Sequence, residues 1–217
     1  MLELFQDGGP FMYPILLWSV LSVGFFLERL YTYLRMRSES QLEEVTRDLN
    51  QQIVSGSSIE QLKEYCLRLG RMEGEVYGEG IGRFEHLSRE TRTLEEMREE
   101  LNGTIERAAL GYCERYLAVI SFVASSVVLL GLLGTVSGMI NAFEGIAEKG
   151  LGEPTIVAAG ISEALITTAS GLAISVPSLA IFSYFSNRAT GKAIEFEPYG
   201  HGFVDALLRR WQSTSAA

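Results

Sequence analysis

The sequence predicts an all-α integral membrane protein with three transmembrane helices and long helices that extend into a cytoplasmic helical domain. Two observations carry that prediction. Tyr116 to Phe143 is a run of 28 residues without a charge, and Ala164 to Asn187 is a run of 24. A bilayer span needs about 20 apolar residues, more than a soluble core helix uses. The charges are also segregated: 21% of the 217 residues are charged and 47% hydrophobic, with a mean hydropathy of +0.15.

The first span is Phe11 to Leu27, 17 uncharged residues, extended through Glu28 and Arg29 to Leu34. It opens after Gly8-Gly9-Pro10, a loop-to-helix signal, and Tyr31 and Tyr33 read as interface anchors. The second span is assigned to 116–143 and the third to 158–187. Between them lies a short loop, 144–157, with Gly145, Gly150, Gly152 and Pro154 as turn residues. Residues 1–10 precede the first span, 35–115 form the polar segment, and 188–217 form a C-terminal tail.

Orientation follows from basic residues near the span ends. Arg35, Arg37, Arg107, Arg115, Arg188 and Lys192 flank one side; Glu3, Asp7, Glu144, Glu148, Lys149 and Glu153 flank the other. The expected topology has the N-terminus and short loop outside, with the middle segment and C-terminus cytoplasmic. Acidic first charges argue against a cleavable leader. Cys66 and Cys113 then belong to a reducing compartment, as inert thiols.

The polar segment interleaves 12 basic and 17 acidic residues, the pattern of solvated helical faces. Leu42, Val45, Leu49 and Ile53 repeat at helical spacing, and Ser55 to Ser58 ends that helix and caps the next. A short helix, Ile59 to Leu69, should reach a glycine-rich break at Gly70, Gly74, Gly78, Gly80 and Gly82. Ser88 to Phe143 reads as one continuous helix, about 80 Å long at 1.5 Å per residue.

Composition excludes several classes. A pI near 4.9 without a basic stripe argues against a nucleic-acid partner. Two cysteines and two histidines do not make a four-ligand zinc site of the usual spacing, and no phosphate loop or dinucleotide fingerprint occurs. No cofactor or metal is expected. His86 and His201 read as surface or capping residues. An intramembrane serine protease built on Ser170-Gly171 fails for want of a membrane histidine to activate the serine, so the chain does not read as an enzyme.

Within the spans, Glu163 stands apart as a carboxylate, costing about 2.5–3.5 kcal/mol at a helix centre, and such residues face cavities or partners. At 100° per residue, Glu163, Thr167, Ser170, Gly171, Ser175 and Ser178 share one broad face, with Thr168 at its margin. One reading is a hydrated or proton-handling path. The other makes Glu163 an interfacial carboxylate and the hydroxyls close-packing groups. In the second span, Gly131, Gly134, Gly138 and Asn141 share a side, Gly134 and Gly138 forming GxxxG, with Thr135 on its border. Pro177 removes a backbone hydrogen bond from the third span and should bend it.

Leu130-Gly-Leu-Leu-Gly-Thr-Val-Ser-Gly-Met-Ile-Asn-Ala-Phe143 and Gly160-Ile-Ser-Glu-Ala-Leu-Ile-Thr-Thr-Ala-Ser-Gly-Leu-Ala-Ile-Ser-Val-Pro177 closely resemble the paired signatures of the MotA/TolQ/ExbB proton-channel family. Gly8-Gly9-Pro10-Phe-Met-Tyr-Pro14 and Glu28-Arg29 resemble its first-span entry and exit. Three spans match the ExbB/TolQ branch rather than the four-span MotA branch. The resemblance implies a homopentamer around a central pore in the bacterial inner membrane. Its partner would be an ExbD/TolR-like single-span protein with a membrane aspartate. Proton-motive force would then be passed to a TonB/TolA-like periplasmic protein. It further implies that Glu163, Thr135 and Thr168 line the pore, with Thr167 beside them; Gly131, Gly134, Gly138, Gly171 and Pro177 read from the helices themselves as residues of close helix contact and shape. Two departures stand out. Val127-Val128 occupies a stretch where the family often has proline. Glu197-Pro198-Tyr199-Gly200-His201-Gly202 should interrupt a commonly continuous helix. The competing function is a non-conducting membrane scaffold that gathers partners.

Overall fold

The computed structural model describes residues 2–90, 92–149 and 154–215. These form α1 (Leu2–Asp7), α2 (Met12–Leu34), α3 (Glu39–Val54), α4 (Ile59–Leu69), α5 (Arg71–Leu87), α6 (Leu94–Glu114), α7 (Leu117–Lys149) and α8 (Pro154–Ser215). The chain divides into two compact units. One is Met1–Tyr31 with Tyr116–Phe185, and the other is Thr32–Arg115 with Ser186–Ala217.

In the first unit, α2, α7 and the first part of α8 pack as three apolar helices. Three stretches are long and apolar enough to cross a membrane: Met12–Leu34, Leu117–Glu148 and Pro154–Ser213. Met12 and Ile15 bury against Val127, with Trp18 and Ile174 packed around them. Polar groups tie the helices internally, because an apolar surround offers them no water. Trp18 Nε1 donates to Ser126 Oγ at 2.5 Å, and the Ser22 and Ser178 hydroxyls meet at 2.6 Å. Much of the outward surface is apolar; Val20, Phe122, Leu129 and Leu165 are exposed.

The second unit is a helical bundle whose core is aromatic and aliphatic. Tyr77 is fully buried, with its ring 5.2 Å from that of Phe196 and 4.7 Å from that of Phe203. Its hydroxyl meets Thr46 Oγ1 at 2.6 Å. Local signals set the helix starts, each box satisfying orphan N–H groups. The Ser58 N–H donates to Gln61 Oε1 at 2.8 Å, and the Thr93 N–H donates to Glu96 Oε2 at 2.9 Å. The Thr93 backbone and side-chain hydrogen bonds hold the Glu96 carboxyl below the usual range.

Four features differ from the sequence reading. The glycine-rich stretch is not a break, since α5 runs through Gly74, Gly78, Gly80 and Gly82. Only Gly70, at φ 55° and ψ −162°, interrupts the chain there. The glycines within α5 serve packing: Gly74 meets the Cys66 carbonyl, and a Cβ at Gly80 would stand 2.7 Å from Ile105 Cδ1.

Ser88 to Phe143 is not one helix either. Ser88 caps the end of α5, α6 starts after Thr93, and Arg115 leaves helical geometry at φ −48°, ψ 130°. Tyr116 follows at φ 66°, a left-handed conformation costing a bulky residue about 1–2 kcal/mol. In exchange the Tyr116 ring packs 5.5 Å from Phe25, and the Arg29 guanidinium lies 5.4 Å from its centroid.

The third difference is at Glu197 to Gly202, where α8 continues without interruption as part of 62 helical residues. Proline and glycine weaken a helix locally, but tertiary burial outweighs propensity. Phe196 and Phe203 are buried, and a Cβ at Gly200 would meet Ile105 Cγ2 at 2.5 Å. Finally, α7 carries on past Phe143 to Lys149, and α8 begins at Pro154. Helix therefore occupies most of the expected loop, and Gly150 and Gly152 fall outside the described residues. Gly145 tolerates helix there because it packs against Ile156.

Candidate functional site

The α7–α8 contact is built from residues with little or no side chain. A Cβ at Gly138 would sit 2.6 Å from the Gly160 carbonyl oxygen, and one at Gly171 would sit 2.8 Å from the Val127 carbonyl oxygen. At Gly131 the nearest atom would be Thr167 O at 3.1 Å, and at Gly134 it would be Thr167 Oγ1 at 2.5 Å. Such close backbone approach is how apolar helices associate without a hydrophobic driving force.

That approach determines where the hydroxyls go. Thr167 is fully buried against Gly134, and its hydroxyl donates to Ala164 O at 2.9 Å. Thr168 is half-buried and donates across to Gly131 O at 3.2 Å. Ser175 donates to Ala124 O at 2.8 Å, while Ser178 donates to Ile174 O at 2.7 Å. Thr135 is half-buried, its hydroxyl on Leu132 O at 2.6 Å. Ser170 is half-buried. The polar face of α8 is thus largely occupied inside this one chain.

Glu163 is placed differently. It is half-buried and lines a cavity of about 450 Å³ with Asp7, Asn141, Ile156, Gly160 and Ser162. The turn between α1 and α2 lies against its carboxylate, at Gly9. Asp7 and Ser162 are additions that helical periodicity did not single out. The sequence signal for Asp7 was its place just before the Gly8-Gly9-Pro10 turn. The α8 helix passes through Pro177 without interruption. Beside that proline is a cavity of about 240 Å³, lined by Ser19, Ser22, Ala173 and Ser178.

A second charged feature lies at the far end of α2. Arg29 is 2% exposed and forks onto Glu28, Nε to Oε2 at 2.6 Å and Nη2 to Oε1 at 2.7 Å. The bidentate pair is geometrically specific, a role the sequence reading had limited to a helix exit.

Fold and site together define a helical membrane protein in which two glycine-tight helices hold Glu163 at a cavity that Asp7 and Asn141 also line. Residues 70–197 match the model of the MotA/TolQ/ExbB proton channel family. An ExbB-like biopolymer transport protein of Synechocystis is 32% identical over 193 residues, 84% of this chain and 69% of its own length. The biopolymer transport protein ExbB of Salmonella typhimurium is 30% identical over 191 residues, 83% of this chain and 71% of its own. The Tol-Pal system protein TolQ of Pseudomonas aeruginosa is 35% identical over 102 residues, 47% of this chain and 44% of its own. The chain belongs to the MotA/TolQ/ExbB proton channel family.

Proposed function

We propose that this protein is the pore-forming subunit of a proton-motive-force-driven energy transducer of the ExbB/TolQ type. It would sit in a bacterial inner membrane with its N-terminus outside and its C-terminus in the cytoplasm. Five copies would surround an ExbD/TolR-like partner whose membrane aspartate exchanges protons with the lining. Glu163 is the relay or hydration site in this reading, and Thr135 and Thr168, which do not line its cavity within one chain, are polar pore lining. The observation that carries the reading is Glu163 itself, a carboxylate within an apolar helix that faces a cavity with no cationic side chain among its described lining residues. Thr167 has a packing role in the same reading, since its hydroxyl is spent on its own helix.

A membrane potential supplies about 2.3 kcal/mol per charge per 100 mV, so several protons suffice for a mechanical step. The test is Glu163→Gln, which keeps the shape and removes the titratable group. Coupled activity in cells should be lost while the complex still purifies at wild-type size and yield. If activity persists, the protein is a scaffold that conducts nothing.

A further inference from the structure

Because α8 remains helical through Pro198 and Gly200, Glu197 and His201 are separated by one helical turn and share a face. Glu106 approaches that face from α6. One ligand-capable atom from each of the three lies within 4.8 Å of the others, and His201 Nε2 is 3.4 Å from Glu106 Oε1. We propose that Glu106, Glu197 and His201 form a binding site for a divalent transition metal of the zinc class, clipping α6 to α8.

The donor set favours that class. An imidazole with two carboxylates suits Zn²⁺ and its neighbours, whereas Mg²⁺ and Ca²⁺ take oxygen alone. Tetrahedral Zn²⁺ at its usual bond lengths puts donor atoms about 3.3 Å apart. The His201–Glu106 pair has that separation already, and both glutamates are exposed and free to close the remainder by rotamer changes. Water would complete the shell.

The backbone beneath is held independently of any ion. Gly200 packs on Ile105, between the two α8 ligands and next to Glu106. Arg98 pairs with Asp205 at 3.0 Å one turn further along the same contact. Glu197 has no ion pair among the described residues, so no cation competes for it there. Two ligands one turn apart on one helix, with a third across a fixed contact, form a chelate whose ordering cost is small.

The experiment is calorimetric titration of the full-length protein, purified in detergent without a histidine tag, with Zn²⁺ alone as probe. One Zn²⁺ per chain is expected at micromolar affinity, unaffected by millimolar Mg²⁺. Glu106→Gln, Glu197→Gln and His201→Ala should each weaken binding at least tenfold. Zn²⁺ should also raise the melting temperature of the wild type and of none of the three variants. Circular dichroism establishes that each variant is folded, as expected for side chains on the surface. Absence of saturable binding overturns the site, and so does binding that survives Glu106→Gln, since the ion would then not bridge the helices.

Discussion

The backbone of Gly9 lies directly against the carboxylate of Glu163, at a φ of +65°. The φ favours glycine, and the contact means that any side chain there must push the flexible Glu163 carboxylate aside. A β-carbon there would strike Glu163 Oε1, and an L-residue in that conformation costs about 1–2 kcal/mol. Gly9→Ala should therefore displace the Glu163 side chain and reproduce much of the Glu163→Gln defect in coupled activity. Gly24→Ala serves as the control, because a Cβ there meets nothing within 4 Å among the described residues. Equal activity of the two alanine variants, measured in the same cells at matched protein levels, would sink the relationship.

Glycines inside helices should split by what surrounds them. Replacing a helix-interior glycine by alanine gains about 1 kcal/mol in propensity. At Gly111 nothing among the described residues lies within 4 Å of the added methyl, so Gly111→Ala should stabilise. At Gly138 the methyl would stand 2.6 Å from Gly160 O and 3.0 Å from Ala164 N, both backbone atoms that yield only if α7 and α8 separate. Overpacking of that kind costs about 1–3 kcal/mol, and Gly138→Ala should melt lower. Thermal unfolding in detergent reads both signs, and a stabilised Gly138→Ala would refute the close contact.

Much of this was legible in the sequence, and the failures share a cause. The spans follow from hydropathy, and α4 starts and ends where its Ser58 cap and Gly70 say it should. Glycine and proline were the misleading residues. At Gly80 and Gly200 they relieve crowding between helices rather than break one, which depends on Ile105 from a distant part of the chain. Tyr116 erred in the opposite direction, since nothing local announces that a tyrosine will take a positive φ to reach Arg29. At the site, helical periodicity placed Glu163, Thr167 and Ser175 on one face. It could not say that α7 would cover the last two, nor that Asp7 would join Glu163 at one cavity.

Burial of Cys66 gives a pH dependence. Cys66 and Cys113 are both buried, and burial pushes the Cys66 thiol from its ordinary value near 9 up to about 11. A raised folded-state pKa means the stability is intact below the unfolded value and is lost as pH rises through the folded one. Stability should therefore decline between about pH 9 and 11 as the unfolded chain ionises first. Cys66→Ala should flatten that decline, although Tyr77, also raised by burial, keeps part of the slope above its ordinary value of 10. Denaturant melts at pH 8 and pH 10.5 test the sign. At neutral pH neither thiol should react with maleimide until the protein is unfolded.

The Arg29–Glu28 fork supplies the sharpest test of packing at the end of α2. Arg29 is 2% exposed while the Glu28 side chain is 39% exposed, so the carboxylate left behind is partly solvated and its loss of a guanidinium costs less than stranding a fully buried charge would. Arg29→Ala should still lower stability, through the lost fork and through the lost packing of the guanidinium on the Tyr116 ring. Arg29→Lys keeps the charge but not the two parallel hydrogen bonds, so it should fall between wild type and Arg29→Ala. Replacing both residues, as Glu28→Leu with Arg29→Leu, should cost less than the sum of the two single leucine changes, because each single change already breaks the same fork. A double-mutant cycle by thermal unfolding in detergent measures the coupling. Additive losses would mean that the two residues owe their places to contacts other than the fork between them.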